Sequence, residues 1–237
     1  MKIALVGYGK MGKAIERLAV KEGHEIVARI GKDGFDLADL NGAEVAIEFS
    51  VPSAAEENVA KLLSFGIPTA CGTTAWNSET AAINDALKTP GAALIHASNF
   101  SLGVNLFFAF NEHLAHYMSS WNAYAPSINE VHHTQKLDAP SGTAITTAEG
   151  ILPAYPNLNG WSHNGTTANT LPITDQRIDP VCGTHTVTYN SSIDRISLEH
   201  HAHTRDGFAL GALLAASWLQ GKEGRHTMRD VLNIQPI

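Results

Sequence analysis

The densest concentration of reactive side chains is Glu130-Val131-His132-His133-Thr134-Gln135-Lys136-Leu137-Asp138-Ala139-Pro140-Ser141-Gly142-Thr143-Ala144. Two histidines and a lysine supply residue types that can donate protons near neutral pH, together with a positive field, so the segment can move a proton next to an anion. Ser141-Gly142-Thr143 falls at a predicted helix start. The first N–H groups of a helix have no partner inside it and favour negative charge. Pro140 has a fixed φ suited to a turn or a first helical position, Gly142 lets an anion approach the backbone, and the Thr143 hydroxyl can add a hydrogen bond. Ser141, Gly142 and Thr143 therefore form a candidate carboxylate seat, with Lys136 one short loop earlier completing a positive pocket. The competing reading is that Asp138 or Ser141 merely caps the helix.

A second motif, Gly7-Tyr8-Gly9-Lys10-Met11-Gly12, fits GxGxxG directly after a predicted strand and at the start of a helix. The first glycine permits a tight turn, the second lets backbone approach a pyrophosphate, and the third allows close helix-to-strand packing. That context points to a dinucleotide. Where an acidic residue often accepts the ribose 2′-hydroxyl, this chain reads Ala28-Arg29-Ile30-Gly31-Lys32-Asp33, so Arg29 and Lys32 precede the first acid and favour tolerance of a 2′-phosphate. The competing reading makes both cations solvated loop charges. A third group, His200-His201-Ala202-His203, suggests zinc: strand alternation puts His201 and His203 on one face, where His185 could join them, with His200 pointing the other way. No third or fourth ligand follows from spacing, so no metal is expected.

The elements that must position these residues fall into two regimes. In the first hundred residues short β-branched runs alternate with helical patterns: a strand at Lys2-Ile3-Ala4-Leu5-Val6, a helix from Lys10 to Glu22, and strands at His24 to Ile30 and Glu44 to Phe49. A helix led by Pro52 follows, then a strand at Ile67 to Cys71, a helix at Glu79 to Leu87 and a strand at Ala92 to His96. Five strands separated by crossovers imply a largely parallel sheet and an α/β fold. After Leu102 the pattern changes to a helix from Val104 to Met118, a strand near Ile128 to His133, and a polar Thr/Asn-rich stretch. Two alternating runs, Gly183 to Tyr189 and Arg195 to His200, fit a half-buried antiparallel sheet. The apolar helix Gly207 to Leu219 resembles those of the first half, so the chain is expected to return there. The expected division is 1–102 with 206–237 as one domain and 103–205 as the other.

Composition limits the function. Sixteen Lys+Arg against 23 Asp+Glu give a formal charge of −7, which opposes general nucleic-acid binding, and a local cluster must meet any anionic ligand. The longest nearly uncharged apolar run, Phe208 to Leu219, falls short of the about 20 residues that cross a bilayer. No membrane association is expected. Cys71 and Cys182 form no CxxC pair, which fits a reducing cytoplasm.

The stretch from Glu130 to Ala144 strongly resembles the signature of the dihydrodipicolinate reductase family, E-x-H-H-x-x-K-x-D-A-P-S-G-T-A, at every fixed position. The resemblance extends to Cys71-Gly72-Thr73-Thr74, to Ser98-Asn99-Phe100-Ser101-Leu102-Gly103-Val104-Asn105 and to Met228-Arg229-Asp230-Val231-Leu232, nearly the whole chain. It implies His132 as acid/base residue, Lys136 as proton donor, and His133, Gly142 and Thr143 as substrate contacts. It also implies that the turn Gly7 to Gly12, the segment Gly72, Thr73 and Thr74, and Ala97, Ser98, Asn99 and Phe100 bind NADPH or NADH. The implied architecture is a Rossmann domain built from both chain ends around a central α+β domain with a mixed or antiparallel sheet, which binds substrate and builds a homotetramer. The implied activity is delivery of a nicotinamide hydride to a cyclic imine with two carboxylates, in lysine and diaminopimelate biosynthesis. The alternative is a non-catalytic nicotinamide-sensing protein that retains the fold, against which the presence of both His132 and Lys136 speaks. Two departures from the family pattern are the plain six-residue glycine turn and the short region from Leu152 to Arg177.

Overall fold

The computed structural model describes residues 1–165 and 167–235. Two compact units emerge: Met1–Leu102 with Asp206–Ile234, and Gly103–Arg205 with Gln235. The expected domain limit at residue 237 lies outside the described residues.

The chain opens with β1 (Lys2–Val6), α1 (Lys10–Lys21), β2 (Glu25–Ile30), β3 (Val45–Glu48), α2 (Pro52–Ser64), β4 (Thr69–Cys71), α3 (Ala81–Ala86) and β5 (Ala93–His96). The second unit follows with α4 (Leu102–Met118), β6 (Ala125–His132), α5 (Gly142–Ile151), β7 (Trp161–His163), β8 (Leu171–Arg177), β9 (Gly183–Asn190) and β10 (Arg195–Ala202). The chain then closes with α6 (Asp206–Leu219), β11 (Gly224–His226) and α7 (Met228–Val231).

In the first unit six strands lie in the order β11-β5-β4-β3-β1-β2, every pair parallel. β1 shows why a parallel sheet reads as a continuous apolar run: Ile3 and Leu5 join the core cluster of α1 and α6, whereas Ala4 and Val6 join the cluster that includes Leu62 of α2. Helices thus cover both faces. The sequence accounts for five of the six strands. The sixth, β11, is only Gly-Arg-His, with no apolar alternation to reveal it, and is placed by its ladder to Ala93–Ile95.

The second unit has five strands in the order β10-β9-β6-β8-β7. β9 runs antiparallel to β10 and β6, while β8 runs parallel to β6 and β7 parallel to β8, so the sheet is mixed. One face packs on α4 and α5 through Ile128, Ile173, Val187 and Tyr189 against Phe107, Ala115, Ala144, Ala148 and Ile151.

Candidate functional site

The strand register of the second unit builds a row of ionisable groups directly beyond an apolar row. Leu198, Val187, Ile128 and Ile173 are successive cross-strand partners from β10 to β8. Two residues further along each strand, on the same face because side chains alternate with period two, stand His200, His185, Glu130 and Asp175. One step beyond on β6 and β8 come His132 and its partner Arg177. The core face of the sheet therefore ends in titratable groups that are still mostly out of water: Glu130 and His185 are buried, and His132 is 7% exposed.

Glu130 is the hub. Its Oε1 accepts the Ser141 N–H at 2.9 Å, and its Oε2 lies 3.4 Å from both His132 Nδ1 and His185 Nε2. Burial alone would raise this carboxyl, but His185, the Ser141 hydroxyl and N–H, and the His132 ring bring it down to about 2. His132 is pushed down to about 4, first by burial, against which the Glu130 carboxylate works and to which His185, Lys136 and Arg177 add. Its imidazole is neutral at pH 7. The His132 and His185 rings meet edge to face at 5.0 Å between centroids.

The loop between β6 and α5 is clamped. Arg177 donates to the carbonyls of Asp138 (Nη2, 3.0 Å) and Lys136 (Nε, 3.4 Å), and pairs with Asp175 at 2.8 Å. Lys136 Nζ lies 2.9 Å from each Asp138 oxygen, and this ammonium overrides burial to hold the Asp138 carboxyl below its usual range. His133 Nε2 lies 2.9 Å from Arg205 Nη2; a guanidinium only donates, so this nitrogen accepts. At the start of α5, Ser141 is buried and spent internally: its Oγ accepts from Ala144 N–H at 3.1 Å and touches His185 Nε2 at 3.1 Å. The N–H groups of Gly142 and Thr143 have no hydrogen-bond partner among the described residues, and a Cβ placed on Gly142 would meet open space.

In the first unit the turn after β1 is shaped by close approach. Gly7 has φ +90° and a Cβ there would strike the Phe49 carbonyl, while a Cβ on Gly12 would lie 2.5 Å from the Gly7 carbonyl oxygen. A Cβ on Gly9, in contrast, would meet nothing within 4 Å. Gly9 is the N-cap of α1 with no side-chain cap and no acidic residue in the first turn, and Gly9, Lys10 and Met11 line a cavity of about 340 Å³ together with Ser50, Gly72, Thr73 and Thr74. Buried Glu48 fixes the far wall: Thr73 Oγ1 donates to it at 2.6 Å, Cys71 Sγ at 3.1 Å, and Ser50 bonds it through its hydroxyl. His96 Nε2 meets the Thr73 carbonyl at 3.0 Å. A pyrophosphate fits this cradle, because it offers backbone donors, no carboxylate at its mouth, and room where a side chain would stand.

Residues 1–100 match the family model described as Dihydrodipicolinate reductase, N-terminus, and residues 103–232 match the one described as Dihydrodipicolinate reductase, C-terminus. The chain belongs to the dihydrodipicolinate reductase family. Family relatives include a 4-hydroxy-tetrahydrodipicolinate reductase of Christiangramia forsetii, 47% identical over 235 residues and covering 98% of both chains. Another, from Acidiphilium cryptum, is 32% identical over 247 residues, covering 99% of this chain and 98% of its own. A solved dipicolinate-bound dihydrodipicolinate reductase from Paenisporosarcina sp. TG-14 shares the fold at a TM-score of 0.78 and 22% identity, over 96% of this chain and 97% of its own.

For this family member several residue-level expectations need correction. Arg29 is not a free cation for a 2′-phosphate: it pairs with Glu16, which also accepts from the Tyr8 hydroxyl, and these two partners hold Glu16 below its usual range. Lys32 is exposed and unpaired among the described residues. Phe100 is 2% exposed and belongs to the core, so only its backbone can meet a ligand, while Ala97 packs beside it and Ser98 is exposed. Of the two places open to Pro140 it takes the turn before the N-cap and not the first helical position, and Ser141, with its N–H and hydroxyl engaged, is a cap and not an open donor. The face assignment of the His cluster is reversed. The register pairs His200 with His185, while His201 pairs with Thr184 on the other face and bonds its hydroxyl at 2.6 Å. Sequence reasoning gave no role to Glu130 or Arg177, and placed His185 only as a possible partner of His201 and His203. The Glu130–His132 spacing of two was a visible signal, but His185 and Arg177 join only through the sheet register.

Proposed function

We propose that this chain is the NAD(P)H-dependent reductase that converts 4-hydroxy-tetrahydrodipicolinate to tetrahydrodipicolinate in lysine and diaminopimelate biosynthesis. When bound in the first unit's cradle, the nicotinamide cofactor supplies a hydride. The domain roles follow: 1–102 with 206–237 holds the dinucleotide through Gly7 to Gly12 and Gly72 to Thr74, and 103–205 holds the substrate. The observation that carries the reading is the pair of open N–H groups on Gly142 and Thr143, set at a helix start immediately after the loop that presents Lys136. They seat one carboxylate of a small dicarboxylate substrate, with the macrodipole of α5 behind them. Lys136 is the group with a proton to give, and Arg177 and Asp138 fix its loop and its ammonium. Neutral His132 accepts or relays a proton, and His133 binds substrate through the edge of its ring that Arg205 leaves free.

The same reading makes the protein a cytoplasmic homotetramer. Free thiols at Cys71 and Cys182 suit a reducing compartment, and exposed Trp161, Ile193 and Ile196 on the second unit offer apolar contact area. Sedimentation at micromolar concentration tests the assembly. For the activity, NADPH oxidation is followed with the cyclic substrate, alongside calorimetry with pyridine-2,6-dicarboxylate. Turnover that disappears in Lys136→Ala while NADPH still binds is the expected outcome; NADPH binding with no turnover in the unaltered chain would replace this reading with the sensor.

A further inference from the structure

Glu130 Oε2 and His132 Nδ1 are buried polar atoms with no hydrogen-bond partner among the described residues. Both lie beside the His185 ring, whose Nε2 is 3.4 Å from Glu130 Oε2 and also touches the Ser141 hydroxyl, a contact that an ion on this nitrogen would replace. Glu130 Oε2, and one ring nitrogen from each histidine, lie within 4.8 Å of one another, and the two carboxylate-to-nitrogen separations are both 3.4 Å. A tetrahedral ion with bonds of about 2.0–2.2 Å sets its ligands roughly 3.4 Å apart. We propose that Glu130, His132 and His185 form a site for a first-row divalent cation such as Zn²⁺, and that its occupancy stops turnover.

The fold holds these donors in place. Glu130 and His132 are two apart on β6, and Glu130 and His185 are direct partners across the β6–β9 ladder, so no loop closure is needed to assemble them. The Ser141 N–H holds Oε1 at 2.9 Å and leaves Oε2 for the ion, as an outer-shell donor does in metal sites. Two imidazoles and one carboxylate suit Zn²⁺, Co²⁺ or Ni²⁺ and do not suit Mg²⁺ or Ca²⁺, which prefer more oxygen ligands. One coordination position is left for water or a substrate carboxylate. Arg177 Nη2, 3.9 Å from Oε1, opposes a second cation and weakens the site. His201 and His203 take no part, since both are exposed and His201 lies on the opposite face. Inhibition rests on the acid/base role given to His132; binding does not.

The test uses the full-length chain freed of metal by chelation. Titration with Co²⁺ should give the intense visible absorption of a tetrahedral site at one ion per chain, and Zn²⁺ should displace it. The signal should survive the double variant His201→Ala with His203→Ala and disappear in Glu130→Gln and in His185→Asn. X-ray absorption of the zinc-loaded unaltered chain should show two nitrogen-ring ligands and a carboxylate, which decides the matter even where a variant fails to fold. Loss of the signal in the double variant, or its persistence in Glu130→Gln, overturns the site. Zn²⁺ should abolish NADPH oxidation and a chelator restore it. Full turnover with one tetrahedral ion bound would overturn the inhibition and the role of His132 together, leaving the site itself standing.

Discussion

The turn Gly7–Gly12 and the strand ends around Glu130 solve the problem of anion chemistry in opposite ways. In the turn the donors are backbone N–H groups made available by what is missing: no side chain on Gly9, no cap on α1, no acid in its first turn. At the strand ends the two N–H groups at the start of α5 are joined by side chains drawn from β6, β8 and β9, and Ser141 and His185 touch across 44 residues of sequence. The first site is contiguous and local, so six residues specify it. The second exists only when the sheet is in register, and a slip by one residue would turn Glu130 and His132 to the other face. Backbone-built sites tolerate exchange of most neighbouring side chains, whereas side-chain-built sites fail one residue at a time.

The sharpest way to break that contrast is to remove the groups that handle the proton. Lys136→Ala and His132→Gln should each lower turnover by about 10²–10⁴-fold, the usual contribution of general acid–base catalysis, with NADPH affinity unchanged by calorimetry. Near-full turnover in either variant would show that the strand-end site does not carry the chemistry. Next in size is Gly142→Val. Its added side chain enters open space, so the protein should fold with a melting temperature close to that of the unaltered chain. It nevertheless fills the carboxylate seat. Losing a charge-assisted bond of about 1.5–3 kcal/mol should raise the Michaelis constant for substrate by roughly 10–150-fold, leaving NADPH binding intact. An unchanged constant in folded protein would refute the seat.

The same contrast sets what could be read from the sequence. Strand, turn and helix around Gly7–Gly12 follow from local pattern, as do strands β1 to β5 and the change of regime at Leu102. β7 and β8 sit in Thr/Asn-rich sequence where Leu171 and Ile173 are too few to announce a strand, and β8 is fixed by its parallel ladder with Ile128–His132. Because β8 escaped notice, so did Arg177. Likewise the free Arg29 inferred from position fails because Glu16, thirteen residues away on α1, reaches it first. The His201–His203 pairing carried the alternation of β10 one residue past its end at Ala202, and nothing in one strand says which face its neighbour presents to His185.

Acid should strain the side-chain-built site first. The folded pKa of His132 is depressed from 6.5 to about 4 and that of Glu130 from 4.5 to about 2. Between the unfolded and folded values the unfolded chain binds more protons, so each group's contribution is present above its unfolded pKa and is lost as pH falls through the folded one. With a chelator present, the melting temperature should fall between pH 6.5 and 4, and His132→Gln should flatten that stretch. An equal slope in the variant would assign the loss to other groups.

The smallest effect concerns the cofactor's 2′-phosphate, where the backbone-built site borrows side chains. Arg29 is bound to Glu16, and Lys32 is the exposed cation that remains in this segment. Exposed charge pairs are worth about 0.2–1 kcal/mol, or up to roughly fivefold in affinity. Lys32→Ala should therefore weaken NADPH by a few-fold and leave NADH alone, because only the phosphorylated ribose meets that charge. Glu16→Gln removes the carboxylate that neutralises Arg29, so it should shift preference the other way, toward NADPH, by a similar factor. Calorimetry with both nucleotides on both variants separates two arrangements. Opposite shifts place the 2′-phosphate beside these cations. Equal losses for NADPH and NADH in Glu16→Gln would instead make the Tyr8–Glu16–Arg29 contacts a brace for the glycine turn, and dinucleotide binding would then depend on backbone geometry alone.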